Sequence, residues 1–263
     1  MRSARSGLVV LVATSLLVAG CSSTSVPPST STTRAPSARA FVGLAFVGPL
    51  FPPGSTQHSC TASVITSSAG DLLVTAAHCL VGTGAGWRFV PGSHDGLAPY
   101  GTWEVVGLYG SPLWLTTTAS TADYAIVRVA PQLRAGHLRS IQSVVGGATL
   151  SAAPARGTIV TVPAYAAGSG DRPVTCTVSV SYDGVFPSFA CGPYSSGTSG
   201  APWLARLGGR LEVAGVIGGL HQGGCTPAIS YSAPFDAGTL ALVARAAAGA
   251  PTDHFPFPPG DGC

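Results

Sequence analysis

Three short segments carry side chains whose chemistries are complementary. Thr75-Ala76-Ala77-His78-Cys79 sets a histidine at the end of an apolar run, immediately before a cysteine. Gly197-Thr198-Ser199-Gly200-Ala201-Pro202 sets a serine between glycines, where missing β-carbons let backbone amides approach a ligand closely. Between them, Thr121-Ala122-Asp123-Tyr124-Ala125-Ile126 carries one carboxylate into an apolar segment. A serine hydroxyl is a weak nucleophile near neutral pH until a neutral imidazole within hydrogen-bond reach accepts its proton. The same ring can return that proton to a leaving group, and a buried carboxylate would hold its tautomer and favour the transient imidazolium. Singly, each segment is commonplace, since such residues usually serve turns and loops. Together, in the order His78, Asp123, Ser199, they point to nucleophilic catalysis.

For that chemistry, elements far apart in sequence must carry the three residues to one place. From Phe41 onward the apolar segments are short, β-branched and separated by Gly, Pro and Ser. Strands are expected over 42–47, 60–65, 72–76, 103–109 and 124–130, and in a second series over 158–165, 174–182, 203–207, 211–217 and 228–231. The 174–182 stretch alternates polar and apolar residues, as a half-buried strand does. Gly208-Gly209 reads as a tight hairpin turn. One helix is predicted over 237–248, with Asp236 to cap it and Gly249 to stop it. Two runs of strands and a closing helix predict an all-β body of two barrels, with 131–155 as the crossover. About 210 residues suffice for two small cores.

Composition agrees with a turn-rich β body. The chain has 263 residues, 46% hydrophobic and 9% charged, with 35 Gly and 22 Pro. A mean hydropathy of +0.40 would suggest a membrane protein. Only residues 7–20 form a long unbroken run of small and apolar residues, however, and about 18 or more apolar residues are needed to span a bilayer. The Gly and Pro content excludes a coiled coil, and the many Val, Ile, Leu and Phe exclude disorder of the body. All thirteen cations are Arg, and the net charge of +3 is too small and dispersed to indicate nucleic acid.

The first segment reads as an address. Arg2 and Arg5 precede the 7–20 run, giving a secretory signal over residues 1–20. Its end, Leu17-Val18-Ala19-Gly20-Cys21, resembles the lipobox of bacterial lipoproteins, which implies that Cys21 becomes a lipidated N-terminus. Ordinary cleavage near Ala19 or Gly20 is the alternative. Seven cysteines is an odd number; setting Cys21 aside leaves an even six, suited to an oxidising compartment. Residues 22–40, rich in Ser, Thr, Pro and Ala, are expected to be a flexible tether. The chain is thus expected outside the cytoplasm, on the outer face of a bacterial membrane or, without the lipid, secreted.

The three chemical segments resemble those of the chymotrypsin-like (trypsin-fold) serine peptidases. TAAHC matches the histidine motif of that family, DYAIVRV its aspartate strand, and GTSGAP is a variant of GDSGGP. CTASVI, GTSGAPW, GVIGG and SYSAPF are similar to the secreted actinobacterial branch. The resemblance spans roughly 41–247 and implies two six-stranded antiparallel barrels with the site in the cleft between them. It also implies a Ser199-His78-Asp123 triad and an oxyanion hole formed by the amides of Gly197 and Ser199. The implied activity is endopeptidase cleavage of a protein or peptide substrate by a monomer without cofactor. The alternative is a pseudo-protease of the same fold that binds at the cell envelope.

Departures from the family pattern matter. Thr198 stands where the family has an aspartate that pairs with a newly cleaved N-terminus, so the site is expected to assemble without zymogen cleavage. Pro193 occupies the place of the acid that selects Arg or Lys, and bulky Tyr194 follows, leaving basic specificity without a visible basis. Gly218, Gly219 and Leu220 match the strand that relatives use to hold substrate backbone. His221 follows, as a candidate for reading an acidic side chain or as a plain loop histidine. By the same resemblance Cys60 pairs with Cys79. Cys176 would pair with Cys191 and Cys225 with Cys263, or else Cys191 with Cys225 and Cys176 with Cys263; six cysteines allow about fifteen arrangements. His58, His94, His137 and His254 have no ligand spacing and no C-x-x-C occurs, so no metal is expected. The tail 251–263, with four Pro and two Phe, is expected to be a surface strap pinned by the last bridge.

Overall fold

The computed structural model describes residues 36–168 and 172–263, together with Gly7 and Val10. The chain divides into a unit of residues 1–34 and a unit of residues 35–263. In the first, Gly7 and Val10 are exposed. Apart from those two residues, the expected signal, Cys21 and the tether up to residue 35 lie outside the described residues. No helix among the described residues is long and apolar enough to cross a membrane.

The larger unit is mostly β-structure. Its first half is a closed barrel of six strands, hydrogen-bonded in the order Val47–Phe51, Cys60–Val64, Leu72–Thr75, Ala125–Val129, Trp103–Gly110 and Arg88–Phe89. Every pair in it is antiparallel. Leu50, Val64, Leu73, Phe89, Trp103 and Ile126 are buried in its core. Trp103–Gly110 shows the alternating burial expected of a strand with one wet face, then becomes buried throughout.

The first barrel strand lies later than expected: it is Val47–Phe51 rather than 42–47, and Val42 is 90% exposed. Gly48 and Pro49 look like turn residues, yet they are strand residues. A β-carbon on Gly48 would lie 2.2 Å from the Val90 carbonyl oxygen, so glycine there permits close strand contact rather than a bend.

In the second half, one sheet runs in the order Thr149–Leu150, Arg210–Val216, Pro202–Leu207, Ile159–Thr161 and Thr177–Ser179. A second joins Ser181–Asp183, Phe186–Ala190 and Ile229–Tyr231. Both wrap a core containing Val160, Val162, Val178, Phe189, Trp203 and Ala214. The stretches expected as single strands at 158–165 and 174–182 are broken into short pieces. Pro163, which cannot donate to a ladder, lies at the first break. Phe186–Ala190 is a strand whose sequence pattern Pro187 and Ser188 mask.

Other expectations hold closely. Leu207 pairs with Arg210 across Gly208 and Gly209, which have φ of 56° and 81°, as a two-residue hairpin requires. The closing helix is Ala237–Ala247; Asp236 accepts from the Thr239 amide and Thr239 returns a bond to the Asp236 amide. Two short helices, Pro112–Thr117 and Ile141–Val145, were not anticipated, the second lying inside the crossover.

The end of the expected tether is structured. Arg39–Ala40 pairs antiparallel with Pro173–Thr175, and the Ala38 amide donates to Gly192. The backbone groups of the 173–175 strand accept this added segment, which composition alone could not reveal.

Candidate active site

The barrel register brings His78 and Asp123 together. Thr75 lies opposite Ala125 in the ladder, so the chain beyond Leu72–Thr75 and the chain before Ala125–Val129 emerge at the same end. His78 sits in the single 3-10 turn Ala77–Cys79, and Asp123 follows the turn Ser120–Ala122. Their side chains meet with His78 Nδ1 2.7 Å from Asp123 Oδ2, while the His78 amide donates to Oδ1 at 2.9 Å. Asp123 is fully buried, which would be costly for an unpaired carboxylate. A third donor, the Gly219 amide, reaches Oδ2 at 2.8 Å. Gly218 leaves room for this arrangement, since a β-carbon there would lie 3.0 Å from the same oxygen. With the carboxylate ionised, Nδ1 keeps its hydrogen and Nε2 is left as the proton acceptor.

Ser199 lies in the loop before Pro202–Leu207, and distant parts of the chain hold that loop. The Thr61 amide donates to the Ser199 carbonyl at 2.7 Å, Thr61 Oγ1 to the Gly197 carbonyl at 3.0 Å, and the Gly200 amide to Ile217 at 2.7 Å. Gly197 has φ +90°, and a β-carbon on it would lie 2.6 Å from the Ala167 nitrogen. Thr198 folds back on its own loop, its hydroxyl donating to the Ser195 carbonyl at 2.7 Å. Among the described residues, the amides of Gly197 and Ser199 meet no protein acceptor. His78 and Ser199 line one cavity of about 550 Å³, together with Tyr194, Gly197, His221 and Asp261.

The pocket differs in part from its sequence expectation. Tyr194 and His221 line the cavity, whereas its lining among the described residues does not include Pro193, Gly218, Gly219 or Leu220. Tyr194 does not obstruct: it is buried, its hydroxyl donates to the Val162 carbonyl at 2.6 Å, and burial pushes its ionisation far up. The strand expected over 211–217 is Arg210–Val216, so Gly218, Gly219 and Leu220, matched by resemblance to a substrate-holding strand, lie beyond its end. The Gly218 amide donates to Tyr231 and the Gly219 amide to Asp123, and Leu220–Gly223 then curls into a 3-10 turn with His221 and Gln222 at φ 51°. Sequence reasoning missed Thr61, Gln222 and Asp261 here. The tail holding Asp261 carries a sequence signal only for a disulfide-pinned strap of Pro and Phe, and Thr61 carries no local signal.

Three disulfides join Cys60 to Cys79, Cys176 to Cys191 and Cys225 to Cys263, which selects the first of the two expected arrangements. Two imidazoles lie beside cysteine pairs, His78 near Cys60 and Cys79 and His221 near Cys225 and Cys263. In both cases the sulfurs are joined to each other and offer no thiolate to a metal.

No protein-family model matches the sequence, and no curated protein does. Solved structures do match. The protease Anisep from Arthrobacter nicotinovorans aligns at TM-score 0.67 and 23% identity, covering 80% of this chain and 99% of that one. The thermostable serine protease AL20 from an extremophilic microorganism aligns at 0.65 and 21%, covering 78% and 97%. A Glu endopeptidase aligns at 0.62 and 19%, covering 81% and 97%. The fold is therefore the chymotrypsin-like serine protease fold, closed by a C-terminal helix.

Proposed function

We propose that this chain is an extracytoplasmic serine endopeptidase, tethered to the membrane by a lipid on Cys21, that hydrolyses peptide bonds through an acyl-enzyme. The observation that carries the reading is His78, held by buried Asp123 at 2.7 Å, on the wall of the cavity that Ser199 also lines. Ser199 Oγ attacks the carbonyl carbon while His78 Nε2 takes its proton, and the amides of Gly197 and Ser199 hold the developing oxyanion. His78 then protonates the amine as the C–N bond breaks. A water that gives its proton to His78 releases the acid and restores Ser199. Each amide of such a hole contributes about 3–4 kcal/mol to the transition state. The Thr198 hydroxyl already satisfies its loop at Ser195, which supports assembly without a freed N-terminus. Three disulfides support a compartment outside the cytoplasm.

A second reading, a binding module with impaired chemistry, draws support from the turn at Leu220–Gly223, which replaces an edge that could pair with substrate backbone. Labelling with a fluorophosphonate separates the two. The peptidase reading expects an adduct that disappears in Ser199→Ala. A folded wild-type chain that forms no Ser199-dependent adduct at neutral to mildly alkaline pH would leave the binding module.

A further inference from the structure

Several hydroxyl side chains line the cavity beside Ser199, including Ser59, Ser195, Ser196, Thr226 and Ser230. Its only carboxylate among the described residues is Asp261, which comes from the C-terminal tail rather than from either barrel half. Among the described residues, no arginine shares the lining. His221 shares the lining, and its Nδ1 meets the Asp261 backbone carbonyl at 3.0 Å, leaving the carboxyl group to other partners. Asp261 Oδ1 accepts from the Cys263 amide at 3.0 Å; Oδ2 has no partner among the described residues.

The tail is built as a fixed wall. Asp253 accepts from the Gly110 amide at 2.8 Å and pairs with Arg245. Phe255 is fully buried and exchanges two backbone bonds with Gly82, at 2.8 and 3.0 Å. The Pro259 carbonyl accepts from Gln222 Nε2, and the Cys225–Cys263 disulfide closes the far end. With prolines at 251, 256, 258 and 259 between these anchors, the segment has little freedom to swing away. A carboxylate is thus held in the cavity lining of a chain that has Pro193 where the trypsin-like pattern places an acid.

We propose that Asp261 is a specificity-determining residue that recognises a cationic group of the substrate bound next to Ser199. The group is either the side chain that enters the cavity or the free α-ammonium of a short acyl segment. The inference rests on reading Ser199 as the nucleophile. Because Asp261 is exposed, the pairing is solvent-screened and corresponds to a preference of about two- to fivefold.

The test compares kcat/KM for wild type and Asp261→Asn on two matched peptide pairs at low salt. One pair is N-acetylated and carries Arg or its neutral isostere citrulline at the acyl position; the other carries Ala there, with a free or an acetylated α-amine. A preference for Arg assigns the side chain, and a preference for the free amine assigns the α-ammonium. In either case Asp261→Asn is expected to remove the preference, as is about 1 M NaCl in wild type. No cation preference in either pair, or one that survives in Asp261→Asn, overturns the proposal. Fluorophosphonate labelling of the same preparations keeps the two failures apart. Labelling without a preference defeats the role of Asp261 alone, whereas absence of Ser199-dependent labelling defeats the peptidase reading. In that second case, benzamidinium binding to Ser199→Ala with and without Asp261→Asn decides the cation site: equal affinities overturn it, and weaker binding by the Asn variant supports it.

Discussion

A β-carbon placed on Gly200 would lie 2.0 Å from Thr75 Oγ1, so the Ser199 loop rests directly on the strand that leads to His78. Thr75 Oγ1 in turn donates to the Thr61 carbonyl at 2.8 Å, and the Thr61 amide donates to Ser199. The two halves of the fold therefore meet through backbone and small side chains, beside the proposed nucleophile Ser199 and the proposed base His78.

Gly200→Ala forces this contact apart and also places a β-carbon at φ +80°. Overpacking and left-handed strain together should cost about 2–4 kcal/mol. Urea unfolding should show a lower midpoint, and fluorophosphonate labelling of Ser199 should fall with it. An unchanged midpoint with full labelling would contradict the contact.

Asp123→Asn replaces one acceptor oxygen with a donor inside a cluster of three N–H groups. The ring of His78 then loses the partner that holds hydrogen on Nδ1. A fall in kcat of about 10³- to 10⁴-fold is expected with little change in KM. Steady-state kinetics on an ester substrate would read the split; a loss confined to KM would argue against Asp123 as the positioning group.

The disulfides should differ in worth by the length of chain they close. On loop-closure entropy, the Cys60–Cys79 bridge, with a separation of 19, stabilises by about 3 kcal/mol, and Cys225–Cys263, with a separation of 38, by about 4. Paired Cys→Ser replacements followed by denaturant unfolding test the ranking. Loss of the first should also reduce labelling at Ser199, because that bridge anchors the turn holding His78. Labelling unaffected by that replacement would show that the turn stands without its bridge.

Tyr194 sets an alkaline limit. Burial raises its pKa above the ordinary 10.0, so the folded chain keeps this proton at pH values where the unfolded chain releases it. The associated stability is complete below pH 10 and declines above it, by up to about 1.4 kcal/mol per pH unit. Tyr194→Phe should be less stable at pH 7 by about 1–3 kcal/mol, because the Val162 carbonyl loses its donor. It should also lose less stability between about pH 10 and 11.5. Tyr182 and Tyr231, likewise raised by burial, add to the decline in both proteins. Parallel pH profiles for the two would refute the assignment to Tyr194.

Much of this molecule is legible along the chain. Short β-branched runs punctuated by Gly and Pro dictate an all-β body, Asp236 and Gly249 mark the helix ends, and Gly208-Gly209 marks a hairpin. His78, Asp123 and Ser199 stand out because their types are complementary and their flanking residues distinctive. These features are readable because each depends on φ/ψ preference, side-chain alternation or chemical type within a few residues. The tertiary structure decided the rest. It joined Cys176 to Cys191 and Cys225 to Cys263, turned the Gly219 amide onto Asp123, curled Leu220–Gly223 away from an extended edge, and set Asp261 at the cavity. Each of these depends on which distant segments approach within a few ångströms once both cores close. That proximity follows from packing the whole chain, so no local pattern encodes it.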